Sequence, residues 1–363
     1  MRTNLRIHFL PMLNPDGAEK FTRRNSLGID VNRDALRLQS PEAKTLKRIR
    51  DSLDADFGFN LHDQSKYYNA ERTEKPATIS FLAPAYNYEK EIKEVRGNAM
   101  NVIVQMNNVL QKFAPGQVGR YNDDFEPRAF GDNIQKWGTS TILIESGGYP
   151  ADPEKQEIRK LNFVSILSAL YSIASEEYKT EEISDYENIP NNDRMLFDLK
   201  ITGLNYELEG ETYVLDLGIN TFENDFDGNS DFYYSGRVVD QGDLTTSYGY
   251  NQVNASGLRY EKGEVYPEKI SNQDELEKLN PLKLLKQGYA FVKVDSALLE
   301  KEHSNYPLNL VSENFKTGAS LNPGVDANFF LYDGDEIKYA IINGFITDLK
   351  EPEKDIKNTL IFN

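Results

Sequence analysis

Apolar and polar positions change rhythm along the chain, and each change marks an element. Leu5-Arg6-Ile7-His8-Phe9-Leu10 alternates like a strand and runs through Pro11 into the turn Asn14-Pro15-Asp16-Gly17. Ser40-Pro41-Glu42 combines a capping hydroxyl, an early proline and an early acid, which predicts a helix start. Leu46, Ile49 and Leu53 then share a helical face. The stretch from Asp56 to Leu61 predicts a short buried strand ending at His62. Helical spacing returns between Asn87 and Phe113, in Ile92, Val95, Ala99 and Ile103. The β-branched, apolar run Thr139 to Ile144 predicts a central strand that stops at Glu145-Ser146-Gly147-Gly148. Asp152-Pro153 opens a further helix with Ile158, Leu161, Leu167 and Leu170 as its stripe. Strands alternating with long helices predict an α/β fold, with a mixed, mainly parallel sheet and helices on both faces.

The rhythm breaks near Glu176. Residues 176–194 are acidic and polar, hold Asn-Asn and Pro, and read as a linker. Beyond them lie short strand-like runs at Met195 to Ile201, Thr212 to Leu217, Phe232 to Val239, Ala290 to Val294, Asn328 to Tyr332 and Ile337 to Ile342. One helical patch, Asp274 to Leu285, interrupts them. The expected organisation is an α/β domain over 1–175, a linker over 176–194 and a β-rich domain over 195–363.

Composition narrows the chemistry. At 39% hydrophobic and 11% aromatic, the 363 residues can bury a sizeable core. The net charge of -17 argues against nucleic acid or an anionic membrane as the main partner. There is no cysteine, which excludes disulfides and thiolate chemistry. No apolar run approaches a membrane span, and Met1 is not followed by a signal-peptide pattern. A cytoplasmic and an exported location both stay open.

Three places carry candidate chemistry. Asn32-Arg33 follows Gly28-Ile29-Asp30-Val31; a guanidinium beside an amide suits a carboxylate, and a surface ion pair is the plainer alternative. His62 ends its strand either as a ligand or as a structural histidine. Glu145 sits directly after Ile142-Leu143-Ile144, where burial would raise its pKa and suit it to base work.

Taken together, Asn14-Pro15-Asp16-Gly17, Arg23-Arg24-Asn25, Gly28-Ile29-Asp30-Val31-Asn32-Arg33, Leu61-His62 and Ile144-Glu145 resemble, in order and spacing, the zinc carboxypeptidases of the carboxypeptidase A type. The resemblance covers about residues 5 to 175. It implies that His62 is a zinc ligand, Glu145 the general base acting on metal-bound water, and Asn32 and Arg33 the grip on the substrate's C-terminal carboxylate. It implies that Arg23 holds the oxyanion, with its neighbour Arg24 open to confusion with it, and that Tyr121 closes over the substrate. Asp132 falls near the family's side-chain pocket, as a pocket acid or a turn residue.

One departure matters. The family's upstream H-x-x-E supplies two of three zinc ligands, and none of His8, His62 and His303 has Glu three residues later. The chain is expected to begin after that motif, so zinc, one per full-length domain, is not expected to bind this chain tightly. Leu5 to Leu10 would then lack a neighbouring strand, and oligomers or poor solubility are expected. The implied activity is removal of C-terminal residues from peptides; the rival is a pseudoenzyme that only holds peptide carboxylates. Two further signals carry less. Asp225 to Asp231 resembles a calcium loop but has Ser230 where glycine belongs, so an Asx-rich turn is preferred. Gly324 to Leu331, followed by Ile341-Ile342-Asn343-Gly344, resembles the small β-sandwich of amidohydrolases, although the chain lacks that family's histidine pairs.

Overall fold

A computed structural model describes residues 5–226, 231–300, 303–304, 306–318, 321–352 and 359–362. The chain divides into two units, Met1–Leu196 and Phe197–Asn363. The calcium-loop-like segment lies largely outside the described residues.

In chain order unit 1 holds α1 (Pro15–Glu19), α2 (Pro41–Leu53), β1 (Phe57–Asp63), β2 (Asn69–Ala70), β3 (Ile79–Leu82), α3 (Glu94–Leu110), β4 (Val118–Arg120), α4 (Phe130–Lys136), β5 (Ser140–Ser146), α5 (Gln156–Ser175), α6 (Ile183–Glu187) and β6 (Asn192–Asp193). Local chemistry explains several boundaries. Ser40 accepts the Ala43 N–H ahead of α2, with Pro41 in the first turn. Asn14 caps α1 through Gly17 N–H. Asp152 accepts the N–H groups of Gln156, Glu157 and Ile158 at the head of α5.

The sheet of unit 1 has the order β1-β5-β3-β4. β1 and β5 run parallel, as do β3 and β4, while β5 and β3 are antiparallel. The strand read as central, β5, is interior. Its Ile142 and Ile144 enter the core built with Ala99, Ile103 and Met106 of α3 and Ile158 and Leu161 of α5. Because neighbouring strand residues face opposite ways, Leu143 and Glu145 face the other side. A second cluster, with Val31, Ala35, Ala43 and Phe130, joins α2 to α4.

Two expectations need correction. Leu5 to Leu10 forms no strand: a lone extended segment has no ladder to satisfy its N–H and C=O groups. Ile7, Phe9 and Leu10 are left exposed. Residues 176–194 are not a bare linker. Tyr178, Tyr186 and Ile189 are buried in the α3–α5 core, and β6 pairs with β2. Burying two tyrosines outweighs the polar background of the segment.

Unit 2 is β-rich. It holds β7 (Leu196–Leu208), β8 (Glu211–Phe226), β9 (Asp231–Gly242), β10 (Tyr248–Asn254), β11 (Arg259–Lys262), β12 (Glu264–Ile270), α7 (Gln273–Lys278), α8 (Pro281–Leu285), β13 (Tyr289–Val294), β14 (His303–Ser304), β15 (Asn309–Val311), β16 (Phe329–Asp333), β17 (Glu336–Ile342), β18 (Phe345–Asp348) and β19 (Thr359–Phe362). One sheet runs β18-β17-β16-β11-β7-β8-β9 with β10 on β7; another runs β12-β13-β15-β19-β14. Neither closes into a barrel among the described residues. The β17–β18 turn is Asn343-Gly344, both at positive φ (49° and 79°), as a tight two-residue hairpin requires. No helix among the described residues is long and apolar enough to cross a membrane.

Candidate functional site

Parallel pairing of β1 with β5 sets His62 opposite Glu145 in register at the ends of the two strands. Glu145 is buried, with 8% of its surface exposed, and its carboxylate has no hydrogen bond or ion pair to a described residue. Burial, reinforced by the charge of Asp63, pushes its pKa up to about 7, with Arg23 pulling the other way. His62 is half-buried. Burial and the positive charges of Arg23 and Arg33 hold its pKa below the usual value, so the ring is neutral near pH 7.

The loop that brings in the arginines is built by its own side chains. Buried Asn25 accepts the N–H groups of Leu27 and Ile29, and Gly28 turns at φ +74°. Arg24 donates to Gly28 O at 2.8 Å and so stitches the loop. Its neighbour Arg23 is exposed and pairs with Asp30 at 2.7 Å. Of the two, it is Arg23 whose charge acts on Glu145 and His62. Asp30 also accepts the Asn32 N–H.

Asn32 spends its side-chain oxygen on Phe130 N–H at 2.9 Å, which ties the loop to α4. Its Nδ2 group has no partner among the described residues. Arg33 donates from Nη1 to Asn32 O at 2.8 Å, and its Nε lies 3.4 Å from Glu126. Glu126 is also held by Arg128 at 3.0 Å, so its hold on Arg33 is long and shared. Arg33 therefore keeps donor capacity for another anion.

Tyr121 follows β4, with its ring 6.3 Å from that of Tyr68. Burial, then the charge of Glu145 and the nearness of Tyr68, raise its pKa, while Arg33 opposes the shift. Asp132 sits in the first turn of α4 and accepts Glu126 N–H at 3.0 Å, so it closes a turn. Burial pushes its pKa to about 6, although that hydrogen bond and Arg33 act against the rise. His62, Glu145, Arg23, Arg33 and Tyr121 are thus one electrostatically connected group. Asn32 belongs to its frame. Asp63, Tyr68 and Glu126 also shape the group; Asp63 adjoins His62 in the chain and Glu126 lies between Tyr121 and Asp132, whereas only the fold brings Tyr68 to Tyr121.

The donors do not fit a catalytic zinc. Such sites present three protein ligands, whereas no three His, Cys, Asp or Glu side chains among the described residues gather closely enough to hold a metal ion. His62 also faces two positive charges.

Burial of Glu145 has a stability consequence. A carboxyl whose folded pKa is raised favours folding below its unfolded pKa, and that contribution is lost as pH rises through the folded value. With a shift from 4.5 to about 7, stability at pH 8 should fall relative to pH 5.5 by about 2 kcal/mol from this group. Glu145→Gln should remove that part of the pH dependence. Urea midpoints of both proteins at the two pH values measure it; parallel pH profiles would count against the raised pKa.

No protein-family profile and no curated protein sequence matches the chain. Among solved structures, the N-acyl-D-glutamate deacylase from Bordetella bronchiseptica, complexed with zinc and a phosphonate inhibitor, is similar over 27% of this chain and 18% of that one. The identity is 22% and the TM-score 0.19. The likeness to that amidohydrolase is faint and carries no functional argument.

Proposed function

We propose that unit 1 binds the C-terminal carboxylate of a peptide, as the carboxypeptidase A type family it resembles does. The observation that carries this reading is that His62 and an unpaired, buried Glu145 stand in register at two adjoining strand ends, with the charges of Arg23 and Arg33 acting on His62 and that of Arg23 on Glu145. Arg33 and Arg23 supply the positive charge, and Asn32 fixes the loop that presents Arg33. Isothermal titration of wild-type protein should show a short free-acid peptide binding about tenfold or more tightly than its C-terminal amide, the scale of a charged hydrogen bond. Equal affinities would remove the basis for the reading.

A second reading is hydrolysis, with Glu145 as general base of a zinc metallocarboxypeptidase; its pKa near 7 favours it. The donor set does not, so no hydrolytic step is assigned to these residues alone. Metal analysis after dialysis against trace zinc should find well under one zinc per chain. Near-stoichiometric zinc that disappears in His62→Ala would reverse this and favour the metalloenzyme.

A further inference from the structure

The helix α5 is apolar on more sides than unit 1 buries. From Leu161 to Ala174 it carries Phe, Leu, Ile, Val, Ala and Tyr all round, broken only by one asparagine and by serines. A helix of that kind belongs between two packed layers, and among the described residues only one layer is present. Ile158, Leu161, Ser165, Ala169 and Ser172 are buried, and Ile166 and Ile173 are half-buried against the core shared with α3 and β5. Phe163, Leu167 and Tyr171 face out, 67%, 44% and 53% exposed. Leu167, assigned to the buried stripe from the sequence, therefore lies on the opposite face.

The three outward residues are spaced four apart. At 3.6 residues per turn each step of four advances by about 40°, so Phe163 and Tyr171 flank Leu167 evenly, one turn before it and one after. A stripe arranged this way is complementary to itself. Turned end for end about Leu167, Phe163 falls on Tyr171 and Leu167 on Leu167, as a two-fold contact requires. Charge supports the same arrangement. At the head of the helix the exposed Arg159 and Lys160 outweigh Glu157; just past its end the exposed Glu176 and Glu177 outweigh Lys179. Lys160 pairs with Glu157 at 3.0 Å, an exposed contact of little worth, and Glu176 is held by Lys179 at 2.8 Å. Glu177 has no ion pair among the described residues. Helical side chains lean toward the N-terminus, so Lys160 leans away from Leu167 and toward the end where the Glu177 of an antiparallel neighbour would stand. The two helix dipoles also oppose each other in that pairing, which is favourable.

We infer that the outward face of α5 docks a second copy of this chain, with the two helices antiparallel and Leu167 at the two-fold axis. α5 packs on the sheet face that carries Ile142 and Ile144, opposite the face of Glu145. The contact thus lies across the sheet from the candidate site, and the inference stands independently of the carboxylate-binding reading. The net charge of -17 opposes an anionic lipid surface as the occupant. Two helices that meet over about three turns make a small interface, at the weak end of specific association, so a Kd of about 10–100 µM is expected.

The test is sedimentation of the full chain from about 1 to about 300 µM, a range that brackets the expected Kd. Wild-type protein should follow a monomer–dimer equilibrium. Leu167→Glu sets two carboxylates against each other at the axis and should raise the Kd about a hundredfold or more. Leu167 is exposed, so the urea midpoint of that variant should stay near the wild-type value. Lys160→Glu should weaken the dimer about threefold or more, and the double variant Lys160→Glu, Glu177→Lys should recover it, since the pair is restored with its signs exchanged. A monomer at the highest concentration would overturn the inference, as would growth beyond a dimer. A dimer that survives Leu167→Glu would place the contact elsewhere, for instance on the exposed Ile7, Phe9 and Leu10. A double variant no stronger than Lys160→Glu alone would contradict the antiparallel pairing.

Discussion

Replacing Arg96 by methionine is expected to destabilise unit 1 by about 2–4 kcal/mol, the scale of leaving two carbonyl oxygens without their donor. Only 2% of Arg96 is exposed. It donates from Nε to Ala83 O at 3.1 Å, from Nη1 to Lys90 O at 2.6 Å and from Nη2 to Asp123 at 2.8 Å. Methionine fills much of the volume but strands two carbonyl oxygens and half the pairing of Asp123. Burial works against the Asp123 charge, and the hydrogen bonds from Lys90 and Arg96 overcome it to hold the pKa below the usual value. The stretch it pins, Ala83 to Lys90, leads from β3 into α3. Arg96→Lys keeps the charge but cannot make three directed bonds, so it should lose less than methionine and more than nothing. Urea denaturation measures both. A loss under about 1 kcal/mol for Arg96→Met would mean that the network adds little.

In unit 2, Gly236→Ala should cost about 3 kcal/mol or more, at or above the usual range for overpacking. A Cβ there would collide with Asn343 O and sit 2.5 Å from Gly344 Cα, closer than the 3.0 Å that real Cβ atoms respect. The obstacle is backbone, not a flexible side chain. The same turn is locked from both sides: Gly236 N–H donates to Asn343 Oδ1 at 2.7 Å, Asn343 Nδ2 donates to Tyr234 O at 2.6 Å, and Asn343 N–H donates to Asn328 Oδ1 at 2.8 Å. The hairpin cannot retreat without breaking these bonds. Thermal unfolding of the variant checks it, and an unchanged midpoint would show that the β9 contact with the Asn343-Gly344 turn is looser than described.

Much of this fold is legible in the sequence where one signal dominates. The run Thr139 to Ile144 is β-branched and apolar, and it is β5. Ser40-Pro41-Glu42 is a cap and behaves as one. Other elements are hidden. β3 is only Ile79-Ser80-Phe81-Leu82, too short between Pro76 and Pro84 to show a rhythm. Leu5 to Leu10 has the alternation of a strand, but alternation promises a ladder only when a partner exists. In residues 176–194 the buried tyrosines are too widely spaced to outweigh the acids and amides around them.

The candidate site was legible in kind but not in connection. Glu145 and His62 stood at strand ends, yet only the β1–β5 register sets them opposite each other. Arg33 was marked by its motif, whereas its competition with Arg128 for Glu126 joins residues far apart in the chain. Asp132, left open as pocket acid or turn residue, closes the Glu126 turn and lies in the field of Arg33. Arg96 carried no signal, because what distinguishes it is burial and the identity of its partners.

The measurement that bears most directly on the carboxylate clamp is the acid-and-amide titration repeated on Arg33→Ala. Arg33 is half-exposed and anchors no core packing, so the variant should fold. The free-acid peptide is expected to lose about 1.5–3 kcal/mol of binding, the scale of a charged hydrogen bond, while the amide is unaffected. The gap between the two peptides should close accordingly. An equal loss for both, or no loss for the acid, would contradict the placing of the C-terminal carboxylate at Arg33.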